Sequence, residues 1–255
     1  MARKKKVAMC ERCGEREVHH LHHKDRNHKN NKESNKEYLC TLCHGIEHGI
    51  SPAVSELRFH LVHYERVQQL RIMISNNITA YSRIEMVVPE ELQEKQKEFE
   101  KLEKAYAKTV VGAVKNGSPH PEIRDWLLSI KGIGELLAAK LLAVIDPEKM
   151  PMVASLWHFA GYAPEDVKRK GKKSAWNQGL KKAIYQIGDS FIKQRTPKYR
   201  KVYDVEKARQ IEIVTPLHPK GLGIKAHADM RARRKMVKEF MKDLWVEWKE
   251  GGGGT

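Results

Sequence analysis

From residue 51 onward, apolar side chains recur every three or four residues, the spacing of one face of an α-helix. The first run comprises Leu57, Leu61, Tyr64, Val67, Leu70, Ile74, Ile78 and Tyr81. Ser51 and Pro52 suit the N-cap and the first helical position before it, and Pro89 interrupts the pattern. A second run places apolar residues seven apart, at Leu92, Phe99, Tyr106 and Ala113. Residues 51–118 therefore predict two long helices, as a coiled-coil hairpin, a dimerising arm or an ordinary two-helix packing unit.

Residues 119–250 predict a compact helical domain. An apolar helix over 135–145 stops at Asp146-Pro147, and shorter helices are expected near 152–159 and 178–192. The last predicted helix, residues 226–248, has the apolar stripe Met230, Val237, Phe240, Met241, Leu244, Trp245 and Trp248. The GGGGT ending, 251–255, reads as a flexible tail.

The first 50 residues have no long period but contain all four cysteines of the chain. The cysteines form two pairs, Cys10-x-x-Cys13 and Cys40-x-x-Cys43, separated by 26 residues. Each pair can hold one side of a tetrahedral ion, and four thiolates favour zinc. A structural Zn²⁺ suits a domain of about 50 residues, which is too small to build much core. The fold class predicted is therefore α+β: a small zinc-bound domain at 1–50, followed by helices.

The charge is concentrated in one segment. The chain of 255 residues has a formal net charge of +16, and residues 166–235 carry 20 basic against 6 acidic residues, a net charge of +14. Such a field attracts phosphates and releases their counterions on binding. Aromatic residues are only 7%, so base stacking is not expected to be the main binding device. The pattern predicts contact with nucleic acid.

Neither a membrane segment nor an export signal is expected. No apolar run approaches the roughly 20 residues that a membrane span needs, and the start, MARKKKVAMC, lacks a long apolar stretch. The prediction is a cytoplasmic protein of a prokaryotic cell or its virus-infected host.

A histidine pattern overlaps the two cysteine pairs. It comprises His19-His20, Asn35, His44 and His48, within the text EVHHLHHKDRNHKNNKESNKEYLCTLCHGIEH. This spacing resembles the His-Asn-His (HNH, ββα-metal) nucleases. The resemblance implies two short strands and a helix around one catalytic divalent metal. By position, it implies His20 as general base, Asn35 as the residue that fixes the loop aiming it, and His19, His44 and His48 as metal ligands.

The chemistry of that assignment is coherent. Histidine has a pKa suited to proton transfer near neutral pH, and His44 and His48 lie one helical turn apart. Imidazole ligands suit zinc, nickel or manganese, whereas the resemblance implies Mg²⁺ or Mn²⁺ for cleavage. His22, His23 and His28 are additional histidines that either contact phosphate or are simply solvated, so the metal-binding set stays open.

A second resemblance lies in the C-terminal part. Lys131-Gly132-Ile133-Gly134 precedes a helix, as in a phosphate-binding turn or a tight interhelical turn. The longer text, IKGIGELLAAKLLAVID, SLWHFAGYAP and GKKSAWNQGLKKAIYQIG, resembles the C-terminal domain of bridge-RNA-guided transposases and, through it, the Nop domain of box C/D ribonucleoproteins. Where those transposases would carry a catalytic serine, this chain reads Lys168-Arg169-Lys170-Gly171, which argues against recombination by that route.

The whole arrangement resembles the HNH-bearing Tas nucleases of tandem interspaced guide RNA (TIGR–Tas) systems. That resemblance implies a guide RNA held by 119–248, a target DNA cut by 1–50, and a homodimer. The residues predicted to contact RNA are Lys131, Gly132, Gly134, Lys168, Arg169, Lys170, Lys172, Lys173, Asn177, Lys181, Lys182, Arg195, Lys198, Arg200 and Lys201. Trp176 and Tyr185 are expected in core packing, with base stacking as the alternative.

Three functional hypotheses follow. The first is an RNA-guided, metal-dependent DNA endonuclease. The second is an unguided HNH DNA endonuclease of a mobile element or virus, with a helical DNA-binding domain. The third, from a different class, is a non-catalytic ribonucleoprotein scaffold with a zinc module.

Overall fold

A computed structural model describes residues 8–167, 170–217 and 223–251. Contacts within the chain divide it into two compact units, Met1–Pro119 and His120–Thr255. The described residues are mostly helical and contain a single two-stranded sheet, which is the coarse α+β class expected. No helix among them is both long and apolar enough to cross a membrane.

The first unit begins with a small β-hairpin and a short helix. Strands β1 (His20–His23) and β2 (Lys36–Leu39) pair antiparallel, with His20 opposite Leu39 and His23 opposite Lys36. Helix α1 (Thr41–Glu47) follows directly, and the Cys40 sulfur caps it by accepting from the Cys43 amide. This order places the second cysteine pair and the last two histidines of the pattern on α1 and its two caps, since Cys40 is the N-cap and His48 the C-cap.

Two long helices complete this unit. Helix α2 (Pro52–Arg83) starts at the predicted cap, where the Ser51 hydroxyl accepts from the Val54 amide, and α3 (Glu90–Gly117) follows Pro89. They pack against each other within one chain, with Leu57, Leu61 and Tyr64 buried. Gln68 and Arg71 both donate to the Glu103 carboxylate across the pair. An intrachain hairpin is therefore the arrangement seen.

The second unit is helical throughout its described residues. Its helices are α4 (Pro121–Ser129), α5 (Glu135–Leu142), α6 (Val153–Phe159), α7 (Gln178–Gln194), α8 (Pro197–Val214) and α9 (Ile224–Gly251). The core contains Leu127, Phe191 and Phe240, all fully buried, and Phe191 stacks on Tyr199 at 4.4 Å between ring centroids. Helix α9 packs along α8 and also contacts α4, α6 and α7, so it is the central element.

Three details differ from the sequence predictions. Met230, assigned to the apolar stripe of the last helix, is 56% exposed, because it faces a groove and not the core. The helix continues to Gly251, the first residue of the predicted tail; 252–255 lie outside the described residues. Trp245, also assigned to the apolar stripe, is only half-buried, and its indole Nε1 donates to the Met150 carbonyl.

Candidate metal centres and a basic groove

The four cysteines converge on one point. The sulfurs of Cys10, Cys13, Cys40 and Cys43 all lie within 4.8 Å of one another, and those of Cys13 and Cys40 are 3.9 Å apart. Sulfurs around a tetrahedral zinc are separated by about 3.8 Å, given Zn–S bonds of about 2.3 Å. The cluster therefore fits the structural Zn²⁺ predicted from the spacing.

The thiols of Cys10 and Cys43 have pKa values that are shifted in opposite directions. Burial raises the pKa of Cys10, but amide hydrogen bonds from Cys13, Cys40 and Arg12 outweigh it and lower that pKa to about 6. Burial raises the pKa of Cys43 to about 12. A cation is therefore needed to keep all four groups as thiolates.

Two further contacts stabilise residues 8–50, called the zinc module below. The Arg12 guanidinium, between the first two cysteines, donates to Glu37 on β2 at 2.9 Å and to Glu47 on α1 at 2.7 Å. Gly45 lets α1 approach α2, because a Cβ at this position would collide with the Ser55 side chain. The zinc module is thereby fixed to the start of the long hairpin.

Three histidines form a second group close to the cysteines in sequence. The ring nitrogens of His22, His44 and His48 lie within 4.8 Å of one another, with His22 buried, His44 half-buried and His48 exposed. The His22 and His48 ring centroids are 5.3 Å apart. Three imidazoles that reach the surface can hold one cation and leave a coordination position open, which is typical of catalytic rather than structural sites.

The structure places His22, and not His19, beside His44 and His48. Alternate residues of a strand face the same side, so His20 and His22 point toward α1. His19 is exposed and its Nδ1 donates to the Glu17 carbonyl, 2.9 Å away; it lines a separate cavity of about 460 Å³ with His60 and His63. His22, one of the histidines that the sequence left open, therefore occupies the place in this group that was expected for His19.

His20, the predicted base, stacks on His44 with ring centroids 4.5 Å apart. Its Nε2 lies 3.3 Å from the Thr41 hydroxyl. Burial and then the adjacent His19 lower the pKa of His20, and burial and then the neighbouring His20 lower the pKa of His44 to about 4. Both rings are therefore neutral near pH 7, the form in which imidazole binds a metal or accepts a proton.

His23 faces the other side of the strand. Its ring is 7% exposed, and its Nε2–H donates to the Asn31 Oδ1 at 3.3 Å. This tautomer leaves a lone pair on Nδ1, and that buried atom has no hydrogen-bond partner among the described residues. A buried nitrogen of this kind is unusual and calls for a chemical explanation.

Asn35 fixes the loop that follows His23. Its Nδ2 donates to the Asp25 carboxylate and to the Asn30 carbonyl, both at 2.8 Å, and its Oδ1 accepts from the Asp25 amide at 3.0 Å. Hydrogen bonds from Asn30, the Asn27 amide and Asn35 lower the pKa of Asp25 to about 2. The loop-fixing contacts expected of Asn35 are therefore present, on the loop next to His23.

The residues predicted to contact RNA have different local settings in the structure. Gly132 has a φ of +99° and packs against the Ser190 and Thr196 hydroxyls, and Asn177 caps α7 by accepting from the Leu180 amide. Arg200 is held by Asp204, Lys198 pairs with Asp243, and Arg195 ends α7. The other predicted residues that are exposed are Lys131, Gly134, Lys170, Lys172, Lys173 and Lys201. Lys168 and Arg169 lie outside the described residues.

Lys181 and Lys182 alone among them join a groove between α7 and α9, a cavity of about 590 Å³. From α9, this groove receives Arg231, Arg233 and Arg234, which the sequence analysis missed. The run RARRK was the available signal, but the helix was interpreted only through its apolar stripe. Trp176 is half-buried and packs against Gly161, whereas Tyr185 is 48% exposed in the groove.

Comparison with known proteins gives one family match. Residues 124–204 match the Transposase IS116/IS110/IS902 family, over roughly a third of the chain from α4 into α8. No curated protein matches the chain. The match includes the α7 wall of the groove but not α9.

The family finding agrees with the coarse likeness of the C-terminal part to a transposase domain and corrects the resemblance to an HNH–Nop fusion. No HNH or Nop domain is matched, so the identification of the chain as an HNH–Nop fusion of the TIGR–Tas kind is wrong. The matched transposase family covers the part of the second unit that carries the glycine turn and the first half of the basic segment. The matched segment does not include the histidine group, so its geometry is the evidence for its function.

Proposed function

We propose that this protein is a metal-dependent DNA endonuclease that hydrolyses phosphodiester bonds at the His22–His44–His48 group. The convergence of these three ring nitrogens within 4.8 Å carries the proposal. The neighbouring cluster has four cysteine ligands, which fill the coordination sphere of a structural ion. The histidine group has only three, which leaves a coordination position open for a reactant and is typical of catalytic sites.

The transposase match supports DNA as the substrate, since a transposase acts on DNA. A divalent cation bound by the three histidines, Mg²⁺ or Mn²⁺ with Zn²⁺ and Ni²⁺ as alternatives, would supply positive charge to offset the charge that develops during phosphodiester cleavage. The protein's own contribution is to hold three imidazoles in place. His22 is held by the strand, and His44 and His48 by one turn of α1.

Two histidines suit the accompanying proton transfer, and one observation favours each. His20 shares the strand face of His22 and contacts His44, which places it beside the cation site. His23 has a buried Nδ1 without a partner among the described residues, next to the loop that Asn35 fixes. The base is the one whose loss slows cleavage without loss of the cation.

Alanine variants of these two residues distinguish them. We expect the base variant, His20→Ala or His23→Ala, to lose about 10²–10⁴-fold in cleavage rate, the usual contribution of a general base. Its affinity for Mn²⁺, measured by calorimetry on the zinc-loaded chain, should be retained. Wild-type cleavage rates in both variants would contradict a base on β1.

We further propose that the second unit holds a guide RNA, with cleavage directed by base pairing and a homodimer as the working form. The support is the net charge of +14 over 166–235 and the basic groove within the same unit. RNA-guided nucleases recognise the backbone and shape of the nucleic acid, and base pairing with the guide determines the target sequence. RNA extracted from the purified protein and sequenced tests this: one discrete, stoichiometric species supports a guide, whereas heterogeneous fragments favour an unguided endonuclease.

A further inference from the structure

The groove between α7 and α9 has the build of a ligand site. Its floor is tight because Gly188 lies against Val237: a Cβ on this glycine would come within 2.7 Å of the Val237 Cγ1. Longer side chains stand on both sides, and Gly161 and Tyr162 line it as well. Its volume of about 590 Å³ lies within the range of about 300–1,000 Å³ that small-molecule sites occupy.

The lining is basic without matching acids. Six cationic or titratable bases line the groove: Lys181, Lys182, His227, Arg231, Arg233 and Arg234. No carboxylate joins them within the part of the chain that the structure describes. Asp189 and Asp229 pair with Arg233 from beside the groove, so one of the three arginines is neutralised.

Hydrogen bonds and an aromatic ring orient Arg231, Arg234 and Lys181. Arg231 donates to His227 and to Gln210, and Arg234 donates to the Tyr162 and Ala163 carbonyls. The Lys181 ammonium lies 4.2 Å from the centre of the Trp176 ring. Because these partners orient the side chains without cancelling their charge, the groove keeps a positive field suited to phosphate.

An aromatic side chain completes the site. Tyr185 lines the groove and is 48% exposed, and the Arg233 guanidinium lies over its ring at 5.7 Å. An exposed aromatic ring beside phosphate-binding cations is the combination that grips single strands, since an unpaired base can stack where a duplex keeps its bases covered. Exposed Met230 adds an apolar edge.

We infer that this groove binds one unpaired nucleotide of a single-stranded nucleic acid, with its base on Tyr185 and its flanking phosphates on Lys181, Lys182 and Arg231. The inference rests on the RNA binding proposed for the second unit and does not depend on cleavage by the first. The guide RNA and a displaced DNA strand share this chemistry, so the test separates them.

The test uses the full chain, stripped of nucleic acid and without added divalent ions. Fluorescence anisotropy measures binding of labelled oligouridylate and oligodeoxythymidylate of about 12 nucleotides, and of a duplex of equal length. Tyr185→Leu should weaken single-strand binding by about 5–100-fold, the effect of losing one stacked base, and leave duplex binding unchanged. Lys182→Gln should lower the salt slope of single-strand binding by about 1.

Lys242→Gln is the matched control, because Lys242 is an exposed lysine of the same unit on α9, does not line the groove and is not among the residues predicted to contact RNA. Circular dichroism and thermal melting verify folding of each variant. If the wild-type chain binds single strands and the groove variants bind them as well as Lys242→Gln does, the inference is overturned. If the wild-type chain binds neither single strand, the RNA role of the second unit fails as well. A loss confined to the uridylate identifies guide RNA as the ligand, and a loss confined to the deoxythymidylate identifies the displaced strand.

Discussion

His22→Ala should reduce metal-dependent DNA cleavage by well over 100-fold, whereas His19→Ala should cleave at nearly the wild-type rate. His22 supplies one of three nitrogens around the proposed cation, whereas His19 points away from the group and bonds Glu17. Removing a residue that merely holds a metal ligand costs about 10–100-fold in affinity or activity, so removing a ligand should cost more. The measurement is the initial rate of plasmid nicking across a Mn²⁺ titration.

The two variants are matched, because both remove an imidazole from nearby positions of one hairpin. Bound zinc per chain should stay at the wild-type level in each, which shows that the four-cysteine cluster is intact. An equal loss of cleavage rate in both variants, or a loss in His19→Ala alone, would contradict His22 as a metal ligand. The second result would support His19, the ligand predicted from the sequence.

Cys40→Ser should release the zinc and unfold the module of residues 8–50. Zinc binding to four such ligands is worth on the order of 10 kcal/mol, and a module of this size has little core to replace it. Its hydrophobic core is largely the cluster itself, since the buried apolar residues are Cys10, Leu39, Cys40 and Cys43. Metal analysis and limited proteolysis should find no bound zinc and rapid cutting before residue 50, with the second unit intact.

Cys40→His is the control, since imidazole is also a zinc ligand and should retain part of the metal. Chelation of the wild-type protein should reproduce the serine variant, and added Zn²⁺ should reverse it. Full zinc content and unchanged proteolysis in Cys40→Ser would show that the cluster does not hold the module together.

The sequence predicted most helices because their signals are local. Ser51 with Pro52 begins α2, Pro89 separates the hairpin, and the spacing of buried residues repeats each turn. The four-cysteine cluster was predictable for the same reason, since two paired cysteines leave few alternatives. Its packing against α2 was not predictable, because Gly45 and Ser55 meet only in three dimensions.

The histidine assignment shows where spacing alone is insufficient. Four of the five adjacent positions from His19 to His23 are histidines, so the sequence could not say which face the cation would occupy. The register of β1 against β2 decides it, by turning His22 toward α1. A one-residue change of strand register exchanges the two faces of the strand. Sequence spacing alone can therefore assign a metal ligand to the wrong one of two neighbouring histidines.

The groove was missed for a different reason. Lys182 and Arg231 lie almost fifty residues apart, and only the packing of α7 against α9 brings them together. At the glycine turn, the Ser190 hydroxyl donates to the Gly132 carbonyl at 2.6 Å and the Thr196 hydroxyl donates to the Lys131 carbonyl at 2.7 Å, so both hydroxyls hold the turn in place. Phosphate binding by this turn stays a prediction. Charge counted along the chain indicated nucleic acid but not where it binds.

The chemistry of the cleaved DNA ends tests the central claim most directly. Supercoiled plasmid is incubated with the purified chain, its extracted RNA and Mg²⁺ or Mn²⁺, and the products are examined for their end groups and for attached protein. Hydrolysis predicts breaks that require the divalent ion, with free phosphate and hydroxyl ends and no protein joined to the DNA. Breaks that form without the ion and leave the chain covalently attached to DNA would contradict the account.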